Sequence, residues 1–343
     1  MGTLTLDTPR DFALARDACS YGYFLLAPNY WDTRTQTLWR VLDVDGRALL
    51  AHVRQARGAG APLKVRVMGM GGSEALSREG RQSVAAQLTR MLRLDEDEAT
   101  LREFHRRDPR FAKGGRGRLF RSPTFFEDVV KTVTSCNVQW PGTIQMNRRL
   151  CEVLGAKVRV AYARSGGGSG GPRTLPEVHA FPSAQQLSRV RAQTLRARCR
   201  VGYRDARLIE LARLFAKSPR RGGVDQAWFQ DPSTDGDAIF KALVGLPGIG
   251  PYAAANIMQL LGRYSRLPLD TESVRHGRTV LGYQGTSAQV MRRVHEHFAP
   301  MGEHAFRSYW FELWEFYERK AGKSWTWDRD TTGKTFTAAL LSK

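Results

Sequence analysis

In the first hundred residues, short alternating apolar runs are mixed with turns. "TLWRVLDVDGRALLAHVRQ" and "LKVRVMGMGG" carry the two-residue period of half-buried strands, and "YGYFLLAPNYWD" reads as a third run of this kind. Asp45-Gly46, between two apolar runs, is the dipeptide of a two-residue hairpin. Together they predict a small antiparallel sheet with a helix. Residues near 81–104 shift to helical spacing and end in an acidic turn. Next comes "FHRRDPRFAKGGRGRLFRSPT", with seven Lys/Arg against one Asp and a Gly-Gly pair, which predicts a linker crossing a charged surface.

From Phe125 the apolar spacing turns helical, in "FFEDVVKTVTSCNV", "TIQMNRRLCEVLG", "SAQQLSRVRAQTLRARC" and "YRDARLIELARLFA". The Gly/Ser-rich stretch "RSGGGSGGPRT" at 164–174 interrupts it and predicts a flexible surface loop. "HAFRSYWFELWEFYERK" is a strongly aromatic helix, with Phe306, Trp310, Leu313 and Tyr317 on one stripe and Tyr309, Phe316 and Lys320 on another. Stripes of this kind pack in a core more often than they line a pocket. No fixed-period repeat is present. The expected class is α+β, with an antiparallel β unit at 1–112 and a helical unit at 113–343.

Charge narrows the partner. Lys and Arg number 53 against 33 Asp and Glu, a net charge of +20, which points to a polyanion, nucleic acid before an anionic membrane surface. No run approaches the roughly 18 apolar residues of a spanning helix. "MGTLTLDTPRDF" lacks a signal-peptide pattern, and Leu6 stands where myristoylation needs Ser or Thr. The expectation is a protein of the cytoplasm and nucleoid in a bacterium, or of the nucleus in a eukaryote. Cys19, Cys136, Cys151 and Cys199 lack the close pairs of a zinc or iron–sulfur site and read as free buried thiols. His295-Glu296-His297 misses the i, i+4 spacing of a helical zinc site.

The most informative stretch is "LVGLPGIGPYAAANIMQLLGRYSRLPLDTES", residues 243–273. Leu243 and Leu246 close one helix on its apolar side, and Pro247-Gly248-Ile249-Gly250 makes a tight turn that glycine permits at positive φ. Pro251 suits the first position of the next helix, whose free amides then face outward without side chains in the way. Such an end binds a phosphate. Ala253, Ala254 and Ala255 let the second helix pack closely on the first.

This stretch, with Asp270 twenty residues past Gly250, resembles the helix–hairpin–helix, Gly/Pro-rich loop, Asp (HhH-GPD) signature of a DNA glycosylase superfamily. "FFEDVVKTVTSCNVQWPGTIQMNRRLCEVLG" is similar to the matching helices of 8-oxoguanine DNA glycosylases. "FRSYWFELW" is similar to the Trp-Arg-Ser-Tyr helix of bacterial 3-methyladenine DNA glycosylase II. The resemblance spans about residues 120–320, and the strand-rich start fits the N-terminal domain that both families carry.

The resemblance implies duplex DNA carrying a damaged base as partner, a monomeric enzyme, base extrusion, and hydrolysis of the N-glycosidic bond with Asp270 as catalytic carboxylate. The chemistry agrees, since a fixed carboxylate stabilises the positive charge that develops on the sugar. Asp270 is equally placed to N-cap the helix after it, and can do both. Bifunctional members carry a lysine where this chain has Tyr252, so water is the expected nucleophile; Lys241, one turn before the hairpin, reads as a solvated surface amine. By the same resemblance Gly248, Gly250, Tyr252 and Ala253 meet DNA phosphate. The main-chain carbonyls of Val244, Leu246 and Ile249 would hold K⁺ or Na⁺, and no iron–sulfur cluster follows the helical domain. Asn137 stands at the gap-filling position, with a helix-capping role as its plainer reading. Arg204, with Arg196, Arg198 and Arg200, is expected along the phosphate backbone, although "VGYRDARLIELA" resembles a mainly structural Gly-Tyr-Arg turn. Trp140, Tyr252, Tyr309 and Trp310 are candidates for the base pocket. Alkylated purines are the expected substrate; an 8-oxoguanine-type enzyme, with or without strand cleavage, and a non-catalytic DNA clamp remain the alternatives.

Overall fold

A computed structural model of the chain describes residues 2–44, 46–69, 72–73, 76–158 and 179–335. The Gly/Ser-rich stretch at 164–174 lies outside these described residues.

Six strands form one antiparallel sheet: β1 (Thr3–Leu6), β2 (Asn29–Asp32), β3 (Thr37–Val44), β4 (Arg47–Gln55), β5 (Leu63–Gly69) and β6 (Gly72–Ser73). The order is β1-β5-β4-β3-β2, with the short β6 paired to β5. Val44 pairs with Arg47, so the β3–β4 hairpin closes over two residues, and Gly46 takes the φ of 76° that such a turn needs. The inner face, with Leu38, Leu42, Leu49, Val53, Leu63 and Val65, is fully buried.

The longer helices are α1 (Arg78–Leu92), α2 (Glu98–Arg107), α3 (Phe125–Ser135), α4 (Trp140–Leu154), α5 (Asp205–Ala216), α6 (Gly236–Val244), α7 (Pro251–Leu260), α8 (Thr271–Thr279), α9 (Ser287–Phe298) and α10 (Ala305–Ala321). The α+β class therefore stands. No helix among the described residues is long and apolar enough to cross a membrane.

Four expectations need correction. Gly22–Leu25 is a 3₁₀ helix, not a strand. Every residue from Cys19 to Asn29 is buried, so this run has no solvent side and no alternation to obey. The helical stretch near 81–104 is two helices: Arg93 turns left-handed after α1, and Asp97 caps α2 through the Ala99 and Thr100 amides.

The basic stretch at 104–124 is no surface linker. Arg116, Arg118 and Arg121 are buried. Arg116 pairs with Glu318 at 2.5 Å, and Arg118 with Asp11 at 2.7 Å. Arg121 donates to the carbonyls of Arg90 and Leu260 at 2.8 and 2.9 Å. Arginine can be buried in this way because its five donors reach several acceptors at once.

The hydrophobic cores also do not divide at 112/113. One core joins the inner sheet face and α1 to the C-terminal helices through Phe298, Phe306, Tyr309, Trp314 and Trp327. The other gathers α3 to α7. Ile144 on α4 and Leu260 on α7 belong to the first core, so the two cores meet along these helices.

A buried ion network ties sheet to helices. Arg40 on β3 meets Glu127 on α3 at 2.6 Å, and Lys131 meets the same carboxylate at 2.8 Å. Burial alone would raise the Glu127 carboxyl, but the two cations outweigh it and bring the value down from 4.5 to about 2. A depressed value stabilises the fold above the ordinary carboxylate range, and that stability is lost as pH falls through the folded value. Glu127→Gln should cost about 3 kcal/mol at neutral pH, since it leaves two buried cations uncompensated. Its stability should also vary less than that of the wild type from pH 4.5 down to 2. Urea titrations at several pH values test this; parallel pH profiles would remove Glu127 from the account.

Candidate active site

The hairpin is built by local chemistry. Asp235 caps α6 by accepting the Ala238 amide at 2.8 Å, and α6 ends at Val244. Gly248 takes φ 75°, and a Cβ there would stand 2.8 Å from the Arg207 side chain. Gly250 has φ −89°, open to any residue, so its use is different: a Cβ would meet nothing within 4 Å. The end of α7 therefore faces open space. Pro251 opens α7, and the first-turn amides of Tyr252 and Ala253 lack intrahelical acceptors. Ala253, Ala254 and Ala255 are buried against the neighbouring helices.

Asp270 N-caps α8. Its Oδ1 accepts the amides of Glu272 and Ser273 at 2.9 and 3.1 Å, and the Ser273 hydroxyl closes a capping box onto the Asp270 amide at 3.2 Å. Its Oδ2 accepts the Tyr252 hydroxyl at 2.9 Å. One oxygen thus belongs to the helix, and the other is held beside the hairpin. The Tyr309 hydroxyl lies 2.9 Å from Ser273 Oγ and supports the cap from behind. Burial, then the charge of Asp270, push the Tyr252 phenol well above its ordinary value, so it remains a donor.

These groups open on a cleft of about 900 Å³. Asn137, Arg204, Gly248, Gly250, Tyr252, Ala253 and Asp270 all line it. Asn137 sits exposed on the α3–α4 turn at φ 52°, a left-handed value that Asn tolerates, and the α4 N-cap is Gln139, so Asn137 does not cap that helix. Arg204 reads differently from the expectation. Its guanidinium is buried and donates to the carbonyls of Val133 at 3.1 Å, Val201 at 3.3 Å and Cys136. It braces the turn carrying Asn137 instead of reaching for phosphate. Arg196 pairs with Asp205 at 2.8 Å, while Arg198 and Arg200 are exposed.

Three aromatic candidates lie outside the lining of this cleft. The Trp140 indole donates to the Gly333 carbonyl at 3.0 Å. The Trp310 indole donates to the Ser20 carbonyl at 2.8 Å and stacks on Trp314 at 5.1 Å. Tyr309 is buried behind the cap. These rings serve the core that joins α10 to the N-terminal sheet.

No family model matches the sequence, and no curated protein matches it. Solved structures do. MBOgg1 in complex with a low-affinity DNA ligand shares 16% identity at TM-score 0.64, covering 92% of this chain and 96% of that one. An 8-oxoguanine glycosylase/lyase from Clostridium acetobutylicum, in its apo form, shares 15% at TM-score 0.63, covering 91% and 96%. A 3-methyladenine DNA glycosylase from Archaeoglobus fulgidus shares 16% at TM-score 0.60, covering 92% and 99%. The fold is that of the helix–hairpin–helix DNA glycosylases.

Within this glycosylase fold, the cleft contains residues that sequence reasoning passed over. Tyr203 is 56% exposed at the rim, with the Arg204 guanidinium 4.5 Å from its ring centroid. Arg207, Arg275 and Arg278 add positive charge around Asp270. The signal for Tyr203 was a lone aromatic in a basic turn, where helical periodicity says nothing about exposure. Cys136 also lines the cleft, and burial pushes its thiol up to about 11, so it is protonated at neutral pH.

Proposed function

We propose that this protein is a monofunctional DNA glycosylase that extrudes a damaged base from duplex DNA and hydrolyses its N-glycosidic bond, with alkylated purines as substrates. The observation that carries the reading is the bond from the Tyr252 hydroxyl to Asp270 Oδ2 at the open end of the hairpin. On this reading the carboxylate faces the sugar of a strand held by the hairpin amides, and Tyr252 stands where the resemblance would put the lysine of a bifunctional enzyme. The developing charge on the sugar is stabilised by Asp270, which also orients the attacking water.

The substrate class follows from what the cleft offers a leaving base. Among the described residues its titratable side chains are Asp270, two tyrosines, Cys136 and arginines. The Tyr252 phenol and the Cys136 thiol both hold their protons too tightly to protonate a base efficiently at neutral pH. A purine alkylated on a ring nitrogen is already cationic and departs without such help. A neutral oxidised guanine needs it more. The 8-oxoguanine reading keeps its place because two of the similar structures are described by that name or as an Ogg1.

A K⁺ or Na⁺ ion on the carbonyls of Val244, Leu246 and Ile249 is part of the proposal. These residues fit it. Val244 ends α6, so its carbonyl has no donor within the helix, and Leu246 accepts only the Ile249 amide, at 3.1 Å, among the backbone donors of this turn. Such an ion would brace the hairpin amides against a phosphate.

The test is a panel of duplex oligonucleotides, each with one lesion, assayed under single-turnover conditions for abasic sites. Release of an alkylated purine is expected; release of 8-oxoguanine alone would move the substrate class, and no release from any duplex would favour a non-catalytic clamp. Binding should be salt-sensitive and largely sequence-independent, since arginines and amides meet phosphates while only the extruded base is read. Affinity should fall at least a hundredfold between about 50 and 200 mM salt. A flat salt response would take the basic surface out of the DNA site.

A further inference from the structure

The outer face of the sheet carries, beside the small cluster of Val41, Leu50 and Met68 on which Trp39 packs, a pattern that the cleft does not explain. Strand register sets Tyr30 opposite Trp39, Trp39 opposite His52, His52 opposite Arg66, and Arg66 opposite Thr3, one continuous row across β2, β3, β4, β5 and β1. Trp39 and His52 stack with centroids 3.9 Å apart and planes within 15°. Beside this row Arg54 pairs in register with Lys64, and Lys64 with Thr5. Arg54, Lys64 and Arg66 are exposed, and among the described residues none of the three has a carboxylate partner. Tyr30, Trp39 and His52 are half-buried, and the buried Trp39 indole nitrogen has no acceptor among the described residues.

The face is electrically distinctive. Burial, then Arg54 and Arg66, push His52 down to about 4, with Asp32 opposing them only weakly. A neutral imidazole stacked on an indole, edged by three cations without a carboxylate partner among the described residues, suits a polyanion that also has flat rings; the Lys64 ammonium donates only to the Thr5 hydroxyl, at 2.9 Å. A continuous row of rings with a basic border is how sheets take single strands, with bases against the rings and phosphates along the charge. A duplex hides its bases and would use only the cations. None of these residues lines the Asp270 cleft.

We propose that this face is a second nucleic-acid surface, which takes an unpaired DNA strand with its bases against Tyr30, Trp39 and His52 and its phosphates on Arg54, Lys64 and Arg66. The proposal does not rest on the glycosylase reading. It brings an unpaired strand to the protein without passing through the hairpin.

The experiment uses the full chain and a fluorescein-labelled 15-nucleotide oligothymidylate at about 100 mM salt, with an undamaged duplex of equal length as comparison. Arg54→Glu/Arg66→Glu changes two exposed side chains and should weaken oligothymidylate binding about tenfold while leaving duplex affinity within about twofold. Trp39→Leu keeps part of the apolar contact with the Val41, Leu50 and Met68 cluster and, in the protein that remains folded, should lose several-fold in single-strand affinity. Nuclear magnetic resonance should show the His52 imidazole titrating above about 4 once the strand is bound, because phosphates offset the arginines. Unchanged oligothymidylate affinity in the double variant would overturn the proposal. So would a parallel loss for duplex, or a Trp39→Leu variant that folds and binds as the wild type does.

Discussion

Asp270→Asn should abolish base excision, lowering the single-turnover rate by about a thousandfold or more, while DNA affinity stays equal or rises. The structure makes Asn the right probe. Asp270 Oδ1 caps α8 through two amides, so Ala would remove a cap as well as a charge. Asn caps as well as Asp and keeps stability within about 0.5 kcal/mol. The Tyr252 hydroxyl can accept from the new amide, so the geometry beside the hairpin survives too. What Asn lacks is the negative charge, which matters where the sugar becomes positive and repels phosphates beforehand. Rapid excision by a folded Asp270→Asn protein would sink the assignment, and equal losses of binding and excision would make Asp270 a structural cap only.

How much of this was legible in the sequence depends on how local the cause is. The β3–β4 hairpin, the hairpin of Gly248 and Gly250, and the capping role of Asp270 each depend on neighbours a few residues away, and each was readable. The segment 104–124 was not. Seven basic residues read as exposure, yet Arg116 finds Glu318 two hundred residues later and Arg118 finds Asp11 far upstream. Charge in a sequence shows a need for partners, not where they are. The aromatic helix failed in the same way: its stripes are real, but whether a ring meets a cleft or a core depends on the N-terminal segment that packs on it. Trp310 is fixed by the Ser20 carbonyl, a contact that no periodicity in α10 announces. Arg204 looked like a phosphate ligand because it lies in a basic turn, whereas four backbone carbonyls, those of Val133, Cys136, Asn137 and Val201, claim it.

On the proposed reading, Tyr252 decides the reaction class. Borohydride should trap no covalent adduct between the unmodified protein and lesion-bearing DNA, and the product should be an intact strand with an abasic site, broken only by later alkali or heat. Trapping needs a neutral amine within reach of the anomeric carbon. Among the described residues no lysine lines the cleft. Lys241 is exposed on α6, before the turn, and Lys131 is buried against Glu127. Tyr252→Lys would place an amine where a phenol now stands 2.9 Å from Asp270 Oδ2. Its charge state sets the outcome: Asp270 favours the ammonium form, while burial at this position favours the neutral amine. Trapping by Tyr252→Lys should therefore be weak near pH 7 and grow toward pH 9 as more of the amine is neutral. Tyr252→Phe, which frees Asp270 Oδ2 without adding a nucleophile, should lower excision about tenfold and trap nothing. Robust trapping of the unmodified protein would overturn the water-driven mechanism and leave base excision standing, since the attacking group and the carboxylate that stabilises the sugar are separate parts of the site.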